Sequence, residues 1–240
     1  YTMEKFKSGF TGKNFPAEEP KFEFEKPVFE TKIDLPLCSE VNLARTYLES
    51  RALDPTLFYY AEKFCEFVNK YKPTFSSNVK EESRVVIPLY YKKELIGFQG
   101  RSLGPSSVKY ITTIINDEGP KIYGLDNIRG DAPVFVTEGP FDSSFVRNSI
   151  ALCGADGDVG KWGVSDPIWV YDNEPRNREI VKRISDTIDR GEKVVIWPSN
   201  MWEKDINDMV VNGHMIMDLL ESNTYSGLEA KVKFTEWKKV

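Results

Sequence analysis

Histidine occurs once, at His214, and cysteine three times, at Cys38, Cys65 and Cys153. These four possible ligands are scattered, with no CxxC pair. Structural zinc sites draw on closely spaced ligands, so no zinc site is expected in this chain. So few cysteines fit a reducing compartment without a disulfide framework, and Cys153, in the apolar run SIALCG, reads as core. No apolar stretch approaches the ~20 residues of a membrane helix. No signal-peptide pattern opens the sequence. A surplus of positive charge is also missing, with 32 Lys and Arg against 37 Asp and Glu. That argues against a uniformly basic nucleic-acid coat, yet it leaves room for a basic groove beside an acidic metal site. Internal repeats and low-complexity tracts are lacking as well.

What is present is a globular mixture, 40% apolar and 29% charged over 240 residues, enough for one large domain or two small ones. Residues 1–35 alternate charge and aromatics among prolines and glycines, and read as a linker or strap. Residues 40–70 carry helical spacing, Leu43, Tyr47 and Leu48 on one face, with Pro55 ending one helix and starting the next. Then the period changes. RVVIPLYY, ELIGFQGR and VKYITTI predict an antiparallel meander. From about residue 133, strand-like runs alternate with helix-like ones: VFVTE, PFDSSFVRNS, IALCG, PIWVYD, PRNREIVKRISDTIDRG, KVVIWP and KDINDMVVNGHMIMDLLES. That alternation implies a mainly parallel sheet covered on both faces.

Three of these strands run into acids: the first at Glu138, the second at Asp172 with Glu174 two residues on, the third through a short loop to Asp205 and Asp208. In an open α/β sheet, active groups gather at the carboxyl ends of strands. Crowded carboxylates repel one another, and a divalent cation relieves that repulsion. Oxygen ligands suit Mg²⁺, which keeps waters and bridges to phosphates, so the pattern predicts metal-assisted phosphoryl transfer. Gly139 is expected to let the turn after Glu138 pass without a Cβ, with the carboxylate near a helix N-terminus. Each piece also has a plainer reading, since DNE and KDIND can simply cap the helices that follow. Arg101 and Lys109 lie on strands ahead of the acids, where Gly97 and Gly100 would admit a backbone or a ligand. Tyr110, Tyr123, Trp162 and Trp202 are candidates for base stacking.

Glu at one strand end, an acid-x-acid pair at the next and a later Lys-Asp resemble the Toprim domain of bacterial and phage primases, topoisomerases and some nucleases. VIPLYYKKELIGFQGRSL, VKYITTI, KIYGLDNIR and ARTYLESRAL resemble the segments that precede Toprim in bacterial-type primases, with wording nearest the phage-type ones. The likeness runs from about residue 40 to 221.

The resemblance implies an α+β N-terminal subdomain over 36–130, then a Rossmann-like α/β Toprim domain over 131–222 with a mainly parallel sheet, and a tail over 223–240. It implies a DNA primase catalytic core, an RNA polymerase that makes short RNA primers on single-stranded DNA by two-metal-ion nucleotidyl transfer. Carried over by position, Glu138 would be general base or metal-proximal acid. Asp172, Glu174 and Asp205, with Asp208, would hold two Mg²⁺ or Mn²⁺ ions. Arg101, Lys109 and Lys204 would bind nucleotide phosphates and template. Ribonucleoside triphosphates, a replicative helicase and a zinc-binding domain supplied elsewhere would be partners, in the cytoplasm of a bacterial or phage-infected cell. The family's Asp-x-Asp-Gly departs here to Asp172-Asn173-Glu174, with Asn177 near the glycine position, and its Asn after Lys-Tyr is Thr112. Two other readings stay open: a Toprim-type nuclease, which shares the acidic motifs, and a non-catalytic replisome adaptor, to which Glu174 in place of Asp lends weight.

Overall fold

The computed structural model describes residues 33–116, 118–154 and 158–240, so the expected strap lies almost wholly outside the described residues. The chain runs α1 (Asn42–Glu49), β1 (Tyr59–Ala61), α2 (Phe64–Tyr71), β2 (Arg84–Tyr91), β3 (Glu94–Ser102), β4 (Tyr110–Ile114) and β5 (Ile122–Tyr123). It continues with β6 (Val134–Thr137), α3 (Pro140–Ser143), β7 (Ser149–Leu152), β8 (Pro167–Trp169) and α4 (Arg178–Asp189). The last elements are β9 (Lys193–Val195), α5 (Ile206–Val211), α6 (Ile216–Ser222), β10 (Thr224–Tyr225) and α7 (Gly227–Trp237).

The first four strands form an antiparallel sheet in the order β1-β2-β3-β4. Its central strand β2 is buried on both faces. Val85 and Ile87 pack with Leu48 of α1 and Phe58, while Val86 packs with Phe64, Phe67 and Val68 of α2 and with Phe98. Side chains alternate across a strand, so one run of six buried residues serves two helices. The segment after Pro55 departs from the expected continuous helix. Tyr59–Ala61 pair with Arg84–Val86, because β-prone aromatics beside an open strand gain a ladder there. Gly97 and Gly100 are filled by protein: a Cβ at 100 would stand 2.4 Å from the Phe64 ring, and one at 97 would stand 2.5 Å from the Thr113 carbonyl. These glycines admit packing rather than a ligand.

The second sheet has the order β10-β9-β8-β6-β7-β5, parallel from β9 through β7 and antiparallel at both edges. This is the α/β architecture with a mostly parallel sheet that the alternation implied. Ile180, Ile184 and Ile188 face the sheet from α4, whose start Asn177 caps by accepting the Glu179 N–H. The long C-terminal helical pattern is broken into α5 and α6 at Gly213, whose φ of +84° is a left-handed conformation natural to glycine. The boundaries differ from those expected. The edge strand β5 joins this sheet although it precedes residue 131. Residues 224–237 are not a trailing tail: β10 pairs β9, and Ala230, Phe234 and Trp237 of α7 are buried in the same core. No helix among the described residues is long and apolar enough to cross a membrane.

Candidate active site

After β6 the chain moves to β7 on one side, then returns as β8 on the other side of β6. The crevice at that switch point is where doubly wound sheets bind ligands. Glu138 follows β6 directly, and Asp172 lies just past β8. Glu138, Asp142, Asp172, Asp205 and Asp208 line one cavity of about 450 Å³. Its other wall comes from the N-terminal unit: Arg51, Arg101, Lys109 and Tyr110. A larger cavity, about 820 Å³, opens by Pro133, Asn148 and Lys193 at the amino ends of the parallel strands, away from the acids.

The acidic wall is electrostatically strained. Burial pushes Asp142 up to about 8, with Asp205 and Asp172 adding repulsion. Burial pushes Asp172 up to about 7, with Glu138 and Asp205 adding to it and Lys204 opposing. Glu138 is also raised, by desolvation first, despite Arg183 at 3.1 Å and the backbone N–H of Asp172. The helix expected to support Glu138 by its dipole is a single turn, α3, too short to contribute much. Gly139 has an ordinary φ of −134°, and a Cβ there would meet only the Asp142 carboxylate, at 3.4 Å.

The basic wall is held by hydrogen bonds. Arg101 is buried, donates from Nε to Tyr47 Oη at 2.9 Å and lies 4.7 Å over the Tyr110 ring. Tyr110 therefore stacks on protein, and desolvation pushes its hydroxyl up to about 12. Lys109 is exposed at the rim. The two walls are joined at Asn207, which is buried. Its Oδ1 accepts from Arg51 Nη1 at 2.8 Å, its Nδ2 donates to the Arg51 carbonyl at 2.6 Å, and its backbone N–H donates to Asp142 at 3.1 Å.

Most of the expected residues meet here: Glu138, Asp172, Asp205, Asp208, Arg101, Lys109 and Lys204 share the cavity. Glu174 does not. It lines a neighbouring hollow, and Lys204 stands between the two, 3.7 Å from Asp172 and 3.3 Å from Glu174. The capping reading holds for one acid, since Asp205 accepts the Asp208 N–H and starts α5 while it faces the cleft. It fails for DNE, because Asn177 is the cap of α4. The sequence reading missed Asp142, Arg51 and Asn207. Asp142 lies four residues after Glu138, a spacing that one helical turn brings to the same side.

As a donor set, these carboxylates suit a hard divalent cation, which would offset the repulsion that adds to burial in raising Asp142 and Asp172. Among the described residues, however, no three His, Cys, Asp or Glu side chains are already arranged to hold an ion. Lys204 and Arg183 supply the positive charge beside the acids instead. The three cysteines are buried and separate, and His214 pairs with Glu203 at 3.2 Å.

No family model matches the sequence. A DNA primase of Enterobacteria phage T4 is 33% identical over 246 residues, spanning 95% of this chain and 72% of the phage protein. Among solved structures, a DnaG catalytic core aligns with a TM-score of 0.59 at 18% identity, over 85% of this chain and 78% of that one. A DnaG primase catalytic domain bound to ssDNA aligns at 0.56 and 16% identity, over 87% and 86%. The E. coli primase catalytic core aligns at 0.52 and 18%, over 88% and 77%. At those identities, the structural likenesses speak to the fold.

Proposed function

The chain belongs to the DNA primase family, and on that premise we propose that ribonucleotides are joined in the cleft between its two walls, on a single-stranded DNA template. The observation that carries this reading is the pairing of opposite walls in one cavity. Glu138, Asp142, Asp172 and Asp205 come from carboxyl ends of the parallel sheet, while Arg51, Arg101 and Lys109 come from the antiparallel unit. A nuclease of the same fold needs the acids but no grip on an incoming triphosphate, and the basic wall therefore favours synthesis over cleavage.

Glu138, Asp172 and Asp205 are the residues assigned to hold Mg²⁺ or Mn²⁺, with Asp142 added to that set and Glu174 reached only if Lys204 moves aside. When bound, such ions neutralise charge that develops on the transferring phosphoryl group. The chain's own residues do the rest. Arg101, fixed by Tyr47 and Tyr110, presents a preorganised guanidinium that can pair with phosphate through two parallel bonds. Exposed Lys109 adds a mobile point charge. Asp142, protonated near neutrality while no cation is present, can give its proton up as the acids gain a counter-charge. The template, ribonucleoside triphosphates, a replicative helicase and a zinc-binding domain remain the partners this reading assigns.

The test is primer synthesis on single-stranded DNA with ribonucleotides and Mg²⁺ or Mn²⁺. Glu138→Gln and Asp172→Asn should each abolish it in a folded protein, and full activity in both would end the proposal. Products shorter than the supplied nucleic acid would mean cleavage instead. The lack of a ready three-ligand group is the observation that favours a non-catalytic adaptor. Calorimetry separates that reading, since an adaptor would bind DNA without binding Mn²⁺.

A further inference from the structure

Of five tryptophans, Trp169, Trp197 and Trp237 are buried and Trp162 packs edge-on against Tyr91. Trp202 is 92% exposed. Its indole is in water, yet the loop that bears it is firmly tied. Asn173, the middle residue of Asp172-Asn173-Glu174, donates from Nδ2 to the carbonyls of Met201 and Glu203 at 3.2 and 3.0 Å. Its backbone N–H reaches the Lys204 carbonyl at 2.6 Å, and its Oδ1 accepts from Trp237 Nε1 at 2.9 Å. Glu203 is held by His214 at 3.2 Å and accepts the Trp202 N–H at 3.2 Å. The residue between Asp172 and Glu174 thus fixes the loop that presents Trp202.

Trp202 borders a hollow of about 470 Å³ with Glu174, Pro175, Arg176, Asn177 and Lys239. Arg176 and Lys239 are exposed and form no ion pair among the described residues. The hollow adjoins the cleft across Lys204, whose ammonium touches both Asp172 and Glu174. A large exposed ring on an anchored loop marks a contact surface rather than packing. Two exposed cations flanking it select a ligand with both a flat apolar face and negative charge. Unpaired nucleotides have that combination, and aromatic stacking with cationic backbone contacts is how single strands are held.

We propose that Trp202, Arg176 and Lys239 form a stacking subsite for a single nucleic-acid strand where it passes beyond the acidic rim. This deepens the primase reading and rests on it for the strand's identity. The strand's base stacks on the indole, and its phosphates face Arg176 and Lys239.

The experiment is a titration with a single-stranded oligodeoxynucleotide, in EDTA, followed by tryptophan fluorescence and by anisotropy of a labelled strand. The strand should quench the wild-type signal, and Trp202→Phe should remove most of the quench while keeping most of the affinity. Trp202→Ala should weaken binding about tenfold. Arg176→Gln with Lys239→Gln should lower the salt slope by about 1.4, the value for two phosphates on a single strand. Trp202→Ala with wild-type affinity and an unchanged quench overturns the subsite, including the case in which Trp202 serves a protein partner. Quenching by a nucleoside triphosphate alone, with none by the strand, overturns it too. Because no divalent ion is present, the result stands apart from whether Glu138→Gln and Asp172→Asn lose synthesis.

Discussion

Arg101 and Asp172 face the same cleft from different sheets, and the fold treats them differently. Arg101 is buried near the end of β3, with a hydroxyl acceptor and an aromatic face already in place. Asp172 sits past a strand end among Glu138 and Asp205, and its proton is held up to about pH 7 by burial and by those neighbours. The basic wall carries its own hydrogen-bond and aromatic partners, whereas burial and mutual repulsion raise the acids of the facing wall. Such division is expected where function, not stability, selects the residues: strain collects at the site and the surrounding core offsets it.

Neutralising each wall in turn tests this asymmetry most directly. Asp172→Asn should lower primer synthesis by about 100-fold or more, a loss typical of removing a directly acting carboxylate. The same change should stabilise the metal-free protein at pH 8.5 by about 1–2 kcal/mol, because a buried, repelled charge disappears. That would raise Tm by a few degrees. Asp142→Asn should move Tm in the same direction. A fall in Tm for both would show that the acidic wall is not strained.

The opposite wall should respond with the opposite sign. Arg101→Leu loses the bond to Tyr47 and the stack on Tyr110, and should destabilise by about 2 kcal/mol. Asn207→Ala, which strands Arg51 and removes the link between the walls, should cost about 1–3 kcal/mol. Thermal unfolding of both variants at pH 8.5 checks the sign; a gain in stability for Arg101→Leu would erase the distinction between the walls.

How far the sequence showed this arrangement depends on the range of the signal. The parallel sheet was legible, because runs such as VFVTE and KVVIWP hold unbroken apolar stretches and alternate with helix-like segments. So was the placement of Glu138 and Asp172 at strand ends. Asp142 was hidden because it follows Glu138 in a one-turn helix, too short to show a period. Asn207 and Arg51 were hidden because their partnership spans 156 residues and depends on how α1 docks. Glu174 read as part of one cluster, since spacing does not reveal that Lys204 divides the acids into two hollows. Gly100 read as room for a backbone or a ligand, and only packing shows Phe64 in that space.

The pH dependence of stability separates the walls again. Asp142 and Asp172 both have folded-state pKa values above those of a free carboxylate. Their contribution to stability is therefore full at low pH and is lost as pH rises through about 7 and 8. From pH 5 to 8 the metal-free protein should lose stability, on the order of 1 kcal/mol per pH unit. Saturating Mg²⁺ should flatten the slope by binding the ionised form. Denaturant midpoints in EDTA and in Mg²⁺ give the measurement, and identical slopes in the two buffers would separate the ion from these acids.

The smallest effect tests the boundary between the walls. Lys204 contacts Asp172 and Glu174 but remains half-exposed, so its pairs are worth less than about 1 kcal/mol. Burial alone would lower its pKa, yet Asp172 and Glu174 raise it. At pH 5 Asp172 is largely protonated and gains little from a neighbouring ammonium. At pH 8 it is ionised, and Lys204 is the cation beside it. Lys204→Met should therefore lower Tm by less at pH 5, where only the contact with Glu174 is at stake, than at pH 8, where the loss reaches about a degree or two. Excess Mg²⁺ should abolish the difference at pH 8 if the ion takes over the charge that Lys204 supplies. A deficit that persists in Mg²⁺ would mean that Lys204 stabilises the loop by packing its stem rather than by standing in for a cation.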